Sequence, residues 1–245
     1  MPKTVLLFSG GLDSWVAYKW LMGRVGAVHP IYVLLGHRYE RQELASLSYL
    51  AQWHQGPSVK LITGPYLAKH EQEDANIPFR NGLLATLAAL ELGGQSGRIC
   101  LVAQYGEQSI PDRSPAFFDQ CSSLLTLLAG QSVVVDPVFP TMTKTEMVLW
   151  YLSHGGSAEA LKACFSCYAD TVGSTPPIAG CGVCGACFRK WVCLTNAGVG
   201  DLGSCFLKNP GVGATASMYR QKAERGDYVD RRAAEILSAL NQKAL

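Results

Sequence analysis

The sequence predicts an α/β fold: a doubly wound, mostly parallel sheet with helices on both faces, followed by a small cysteine-rich C-terminal region. Three observations carry this. Over the first 150 residues, short apolar runs rich in β-branched residues alternate with longer helix-like stretches, the pattern of strands and crossover helices. Glycine or proline marks the joints, as at Gly26, Gly56-Pro57, Gly93-Gly94, Gly130 and Gly155-Gly156. Seven of the nine cysteines lie from Cys164 to Cys205, where the alternation stops.

The strands are expected at 5–8, 31–35, 59–62, 99–102 and 133–135, each a short apolar run. Helices are expected at 14–22, 40–53, 81–92, 115–128 and 144–153. Residues 171–180, with Pro176-Pro177, read as loop. The tail over 217–240 is helical, with Ala233, Ile236, Leu237 and Leu240 on one face and a break at Gly226 that makes it two helices. Two units follow: 1–160 as a nucleotide-binding α/β domain, and 161–245 as a helical region organised by cysteines.

Composition excludes several classes. Apolar types are 48% of the chain and charged types 16%, which no disordered chain shows. The net charge of +2 supplies no polybasic field, so broad nucleic-acid binding is not expected. The longest uncharged apolar run, 83–90, ends at Glu91, well short of the roughly 18 residues a membrane span needs. The first residues lack the shape of a signal peptide, and a cytoplasmic location is expected. In a reducing compartment the cysteines read as core thiols, reactive thiols or metal ligands, not as a disulfide framework.

Ser9, Gly10, Gly11, Leu12, Asp13 and Ser14 follow the first strand and open the first helix. Two glycines let the backbone approach a ligand closely. The amides of the helix start and its dipole then favour an anion, at the carboxyl end of a strand where open α/β sheets bind ligands. The plainer reading is a strand-to-helix turn with Asp13 near the helix start as a capping carboxylate. No G-x-x-x-x-G-K-[ST] motif is present, so a Walker-type site is excluded. Residues 211–216 match a loose dinucleotide fingerprint, but they follow Asn209-Pro210 and not a strand, and carry no such site.

Cys181, Cys184 and Cys187 form C-x-x-C-x-x-C, with Cys164 and Cys167 upstream. Four thiolates suit one tetrahedral zinc ion, and such a closed site is structural. An iron–sulfur cluster or redox thiols fit the same spacing. Spacing does not choose between Cys164 and Cys167. Cys100, Cys121, Cys193 and Cys205 read as small core hydrophobes.

The string Ser9–Ser14 resembles the pyrophosphate loop of the PP-loop ATPases. With the cysteine motif after it, the chain resembles the 7-cyano-7-deazaguanine synthases of the queuosine pathway, a PP-loop family with an adenine nucleotide alpha hydrolase-like fold. The likeness covers most of residues 4–198. Ile77-Pro78-Phe79-Arg80-Asn81 resembles the family's V-P-G-R-N, and residues 110–117 its Y-P-D-C-R-P-x-F. Thr143-Lys144-Thr145-Glu146 resembles its T-K-x-E. Ser166-Cys167-Tyr168 resembles its S-C-Y, which selects Cys167 as the fourth ligand beside Cys181, Cys184 and Cys187.

The resemblance implies an ATP- and Mg²⁺-dependent enzyme with about one Zn²⁺ per chain. It would adenylate 7-carboxy-7-deazaguanine, convert it with ammonia to the amide, and use a second ATP to reach the nitrile. Asp13, Arg80 and Lys144 take the catalytic positions, with Arg80 and Lys144 neutralising phosphates. Arg80, Asn81 and Asp112 take the deazapurine; as plainer readings Asn81 caps its helix and Asp112 sits in a turn. Phe79, Tyr105 or Phe117 is the candidate stacking ring. A homodimer is implied.

The chain departs from the family in a longer spacer, 13 residues between Cys167 and Cys181, and at three further places. Gly36-His37-Arg38-Tyr39 stands where the family has G-Q-R-H. Arg113-Ser114 stands for Cys-Arg. Residues 104–107 lack the usual G-x-x-x-x-D. ATP and zinc chemistry are thus expected intact and the substrate or amine pocket rebuilt. The alternative product is the amide itself, or a conjugate of the activated deazaguanine with a protein or peptide amine in a DNA-modification or defence system. Transfer-RNA thiolation and a non-catalytic nucleotide sensor are further classes. The low charge speaks against the first and the complete loop against the second.

Overall fold

Strand β1 (Lys3–Leu7) pairs with β2 (His29–Leu34) on one side and β4 (Gly97–Val102) on the other. Strands β3 (Lys60–Thr63) and β5 (Val133–Val138) form the edges. The sheet order is β3-β2-β1-β4-β5 and every pairing is parallel. In the computed structural model residues 2–53 and 56–242 are described. The expected doubly wound sheet is present, fully parallel among the described residues.

The period-2 pattern of the strands sorts side chains to two cores. Leu6, Phe8, Tyr32 and Cys100 point to one face, covered by α1 (Leu12–Val25), α2 (Glu40–Leu50) and α5 (Lys144–Ser153). Val5, Ile31, Ile99 and Leu101 point to the other, covered by α3 (Arg80–Leu90) and α4 (Pro115–Ala129). Trp15, buried under the first face, donates its Nε1–H to Tyr151 Oη at 3.0 Å. This satisfies the polar edge of a large apolar ring. Strand β5 runs three residues further than its apolar triplet suggests, through Pro137. Proline's missing N–H is tolerated on an edge strand.

The chain leaves the sheet through α6 (Ala158–Ala163) and returns as α7 (Gly185–Asn196), α8 (Gly213–Glu224) and α9 (Asp230–Gln242). These last three build a third core around Phe188, Trp191, Ile236 and Leu240, with Tyr219 stacked on Phe188 at 4.1 Å. The tail is two helices, and Gly226 breaks it at φ +80°. Residues 211–216 open α8 with no strand before them. No helix among the described residues is long and apolar enough to cross a membrane.

Candidate active site and metal centre

The sheet order reverses between β1 and β4, which leaves a crevice at their carboxyl ends. A cavity of about 250 Å³ lies there, walled by the ends of β1, β2 and β4, the loop after β1, and the segment 165–168. Gly10 takes φ +73°, and Gly11 is the N-cap of α1 without a side-chain cap. Among the described residues, three of the loop's amides are engaged by side-chain hydroxyls: Ser9 N–H by Ser14 Oγ at 3.3 Å, and Gly11 N–H by Ser9 Oγ and Leu12 N–H by Ser166 Oγ, both at 3.4 Å. Those long bonds can be exchanged for an anion's oxygens. Ser14, by contrast, is buried and internal to the turn, donating to Gly11 O at 3.0 Å. Leu12 contributes its amide while its side chain sits in the core.

Cationic groups ring this loop. Lys144, the first residue of α5, reaches Asp13 with Nζ at 2.7 Å from Oδ1. Arg80, the first residue of α3, donates to Tyr39 Oη at 3.3 Å. Arg189, from α7, donates to Tyr168 Oη at 2.9 Å. Arg113 is paired with Glu107 at 2.6 Å. All four cations line the one cavity. Arg189 lies outside every motif singled out in the sequence, and its only signal there is its place two residues beyond Cys187.

A buried polar network forms the opposite wall. Glu43 accepts from Tyr32 Oη at 2.7 Å and lies 2.9 Å from His37 Nε2. Burial and the Glu43 carboxylate push the Tyr32 phenol well above its usual range. His37 packs edge-on against Tyr39 at 4.4 Å, and burial also pushes the Tyr39 phenol up. Glu40 accepts from the amides of Leu35 and Gly36 at 2.6 and 2.8 Å, fixing the turn that presents His37.

Of the residues singled out from sequence, Ser9, Gly11, Asp13, Arg80, Asn81, Lys144 and Cys167 line the cavity, and Gly10, Leu12, Ser14 and Asp112 do not. Asn81 lies within the first turn of α3 and does not cap it. Its Nδ2 donates to the Asp112 carbonyl at 3.1 Å, so Asp112 supports Asn81 through its backbone. The N-cap is Phe79, in the left-handed region at φ +63° and 88% exposed. Tyr105 packs under the Arg231 guanidinium at 3.8 Å, and Phe117 on Phe118 at 5.2 Å. The rings on the cavity are instead Phe8, Tyr32, Tyr39, Phe165 and Tyr168.

The cysteine question is resolved by geometry. Sγ atoms of Cys167, Cys181, Cys184 and Cys187 all lie within 4.8 Å of one another. The Cys167–Cys184 and Cys181–Cys187 separations are 3.9 Å, close to the edge of about 3.8 Å of a tetrahedron with zinc–sulfur bonds of about 2.3 Å. Backbone amides of Ala169, Cys181, Val183 and Cys187 point at three of the sulfurs at 3.3–3.5 Å, the outer hydrogen bonds that orient thiolate ligands. Four donors of this kind fit zinc. Gly182 makes the turn possible: at φ +78°, a Cβ there would lie 1.8 Å from the Lys208 carbonyl oxygen.

Cys164 is excluded from the cluster. It is fully buried in the first core and donates to Ala160 O at 3.2 Å. Burial also pushes the Cys100 and Cys193 thiols up to about 12, which marks them as core residues. Cys167 joins the two sites, since it belongs to the cluster and also lines the cavity.

Comparison with known proteins converges on one family. A family model described as queuosine biosynthesis protein QueC matches residues 58–198, more than half of the chain. A 7-cyano-7-deazaguanine synthase from Pyrococcus abyssi is 24% identical over 242 residues, covering 86% of this chain and 100% of the relative. One from Xylella fastidiosa is 27% identical over 223 residues, covering 82% and 94%. One from Porphyromonas gingivalis is 28% identical over 163 residues, covering 63% and 69%. The stretch matched by the family model contains Arg80, Asn81, Lys144 and the four clustered cysteines.

Proposed function

The chain belongs to the family of queuosine biosynthesis protein QueC, and on that premise we propose that it is an ATP-dependent, AMP-forming ligase acting on 7-carboxy-7-deazaguanine. The observation that carries this reading is the convergence of Ser9 and Gly11 of the loop, the Asp13–Lys144 pair, Arg80 and Asn81 on one cavity. Residues 1–160 are assigned to nucleotide and substrate binding. Residues 161–245 are assigned to a zinc-braced region that closes the cavity.

In the first step a substrate carboxylate oxygen attacks the α-phosphorus of ATP, and the bond to pyrophosphate breaks. The residues' part is positioning and charge stabilisation. Loop amides face the phosphates, while Lys144 and Arg80 offset the developing negative charge. Ammonia then attacks the acyl carbon, AMP leaves, and a proton is released with the amide. The amide oxygen then attacks the α-phosphorus of a second ATP, and the bond to pyrophosphate breaks. Loss of AMP and two protons leaves the nitrile. Asp13 is the carboxylate beside the loop, and Mg²⁺ on nucleotides takes one or two carboxylates besides phosphate oxygens. Zinc held by Cys167, Cys181, Cys184 and Cys187 supplies a structural brace.

Incubation with ATP, Mg²⁺, 7-carboxy-7-deazaguanine and ammonia, followed by mass spectrometry, tests the reading. Nitrile with AMP is the expected product. AMP formation that ignores the deazaguanine would sink it.

A second reading keeps the activation and changes the amine. It is favoured by a specific observation: His37, Tyr39 and Arg113, three of the residues that depart from the family's segments, all line the cavity. Amide without nitrile, or an adduct on a protein amine, in the same assay would select it.

A further inference from the structure

Helix α9 reaches across the molecule to the start of α5. Thr143 is the buried N-cap of α5, in a reciprocal capping box with Glu146: Thr143 Oγ1 accepts from Glu146 N–H at 3.2 Å, and Glu146 Oε2 accepts from Thr143 N–H at 2.8 Å. Both members of the box are held by α9. The Thr143 hydroxyl donates to the Glu235 carboxylate, 92 residues away in sequence. Arg231 donates to both Glu146 carboxylate oxygens at 2.8 and 3.1 Å, and to the Thr141 carbonyl at 3.0 Å. Its guanidinium lies 3.8 Å from the Tyr105 ring centroid. Glu235 is itself anchored, since its backbone carbonyl accepts from Asn196 Nδ2 on α7 at 2.8 Å.

The residue immediately inside this box is Lys144. We propose that Glu235 and Arg231 are positioning residues for Lys144, so that α9 straps the start of α5 and fixes where the Lys144 ammonium sits against the loop. A capping box sets the direction in which the first helical turn leaves its N-cap. Lys144 Nζ must meet a carboxylate on a different helix, and its long stem has many rotamers. A box held only by its own two residues frays with the helix terminus. Here a carboxylate fixes the Thr143 rotamer and a guanidinium fixes the Glu146 rotamer. Displacements of about 1 Å at a group that stabilises a transition state cost about a hundredfold in rate. The inference rests on the reading that Lys144 serves nucleotide activation.

A thermodynamic cycle tests it. Glu235→Ala and Arg231→Ala are made in the native chain and in a Lys144→Met background, and AMP formation is measured with ATP and 7-carboxy-7-deazaguanine. In the native background kcat should fall about tenfold to a hundredfold, with the KM for ATP changed by less than about twofold. In the Lys144→Met background the same substitutions should change nothing further, because the residue they act through is gone. Glu235→Gln, whose amide oxygen still accepts from Thr143, should restore most of kcat. An equal loss in both backgrounds, or no loss in the native one, overturns the proposal. Should the alanine variants not fold, as judged by melting and zinc content, Glu235→Met and Arg231→Met, which keep the side-chain stems and lose the hydrogen bonds, run through the same cycle with the same criterion. Native protein that forms no AMP overturns the underlying reading along with this one. Native turnover with an additive cycle overturns only this one.

Discussion

Lys144 Nζ lies 2.7 and 2.8 Å from the two carboxylate oxygens of Asp13, 131 residues earlier in the chain. One residue opens α5 and the other lies in the first turn of α1, so two helix starts meet beside the anion loop. On the proposed reading, the pair keeps the ammonium beside the loop before any phosphate arrives. Such preorganisation avoids reorganisation at the moment of reaction. Asp13→Ala and Lys144→Met should each lower AMP formation by on the order of 10²–10³, the usual cost of losing one transition-state donor or its anchor. Lys144→Arg should not restore it, because a planar fork does not replace a compact ammonium. Rates of AMP release decide this, and near-native rates in either variant would refute the placement of the nucleotide.

The cluster should hold about one zinc per chain, measured by elemental analysis. Cys184→Ser should remove most of that metal and lower the melting temperature, since binding energy at such a site is folding energy. Cys164→Ala should keep the metal and cost only about 1–2 kcal/mol for the small void it leaves. Iron in place of zinc, or metal loss in the Cys164 variant, would contradict the assignment.

Native protein should resist thiol alkylation selectively. Burial pushes Cys100, Cys164 and Cys193 from 9.0 up to about 12. At pH 8 the thiolate fraction therefore falls from roughly one in ten to roughly one in ten thousand. Iodoacetamide followed by peptide mass spectrometry should label these three only after denaturation. The unfolded chain loses these protons near pH 9 and the folded chain only near 12, so these thiols make stability fall as pH rises through that window.

Lys190 is fully buried, and burial lowers its pKa; its Nζ donates to the carbonyls of Lys162 at 2.8 Å and Cys164 at 2.6 Å. It thereby ties α7 to the segment that carries Phe165 and Ser166 against the loop. Lys190→Met removes a costly buried charge but leaves two buried carbonyls without this donor. A net loss of about 1–3 kcal/mol in urea denaturation is expected. The folded pKa lies below the unfolded 10.5, so this lysine makes stability rise with pH up to 10.5, and the methionine variant should lose that rise.

The strands and the helices covering them were legible because period-2 and period-3.6 patterns are local. The loop at Ser9–Ser14 and the Cys181–Cys187 run were legible because their spacing is local too. Other features depend on tertiary placement. Helix α7 carries an amphipathic pattern and buries eight of its twelve residues, but its first turn falls in the cysteine run, which reads as a metal-binding loop. Arg189 faces the cavity only because the cluster folds α7 back toward the sheet. The choice of Cys167 over Cys164, which spacing left open and the resemblance at Ser166-Cys167-Tyr168 made, has its physical basis in the direction in which α6 ends, with Cys164 left in the first core. The stacking candidates Phe79, Tyr105 and Phe117 fell near motif residues in sequence, yet the cavity takes its rings from β1, β2 and the 165–168 segment.

The two loop glycines serve different ends, and two substitutions separate them. Gly10 sits at φ +73°, and a Cβ there would lie 3.1 Å from Leu47 Cδ2 and 3.3 Å from the Leu47 amide nitrogen. Gly10→Ala therefore meets a conformational cost of about 1–2 kcal/mol as well as crowding against α2, and should lower stability before any ligand is added. Gly11 has an ordinary φ of −78°. A Cβ there would lie 3.1 Å from the Phe165 carbonyl and 3.3 Å from Ser9 Oγ. Gly11→Ala pushes on the groups that hold the loop's amides. It should leave melting within about 1 kcal/mol of native, as surface-like changes do, while raising the KM for ATP about tenfold, because misplaced amides lose their oxygens. Thermal denaturation together with AMP kinetics separates the two. If Gly11→Ala instead melts early with unchanged KM, its role is packing and the amides do not read phosphate.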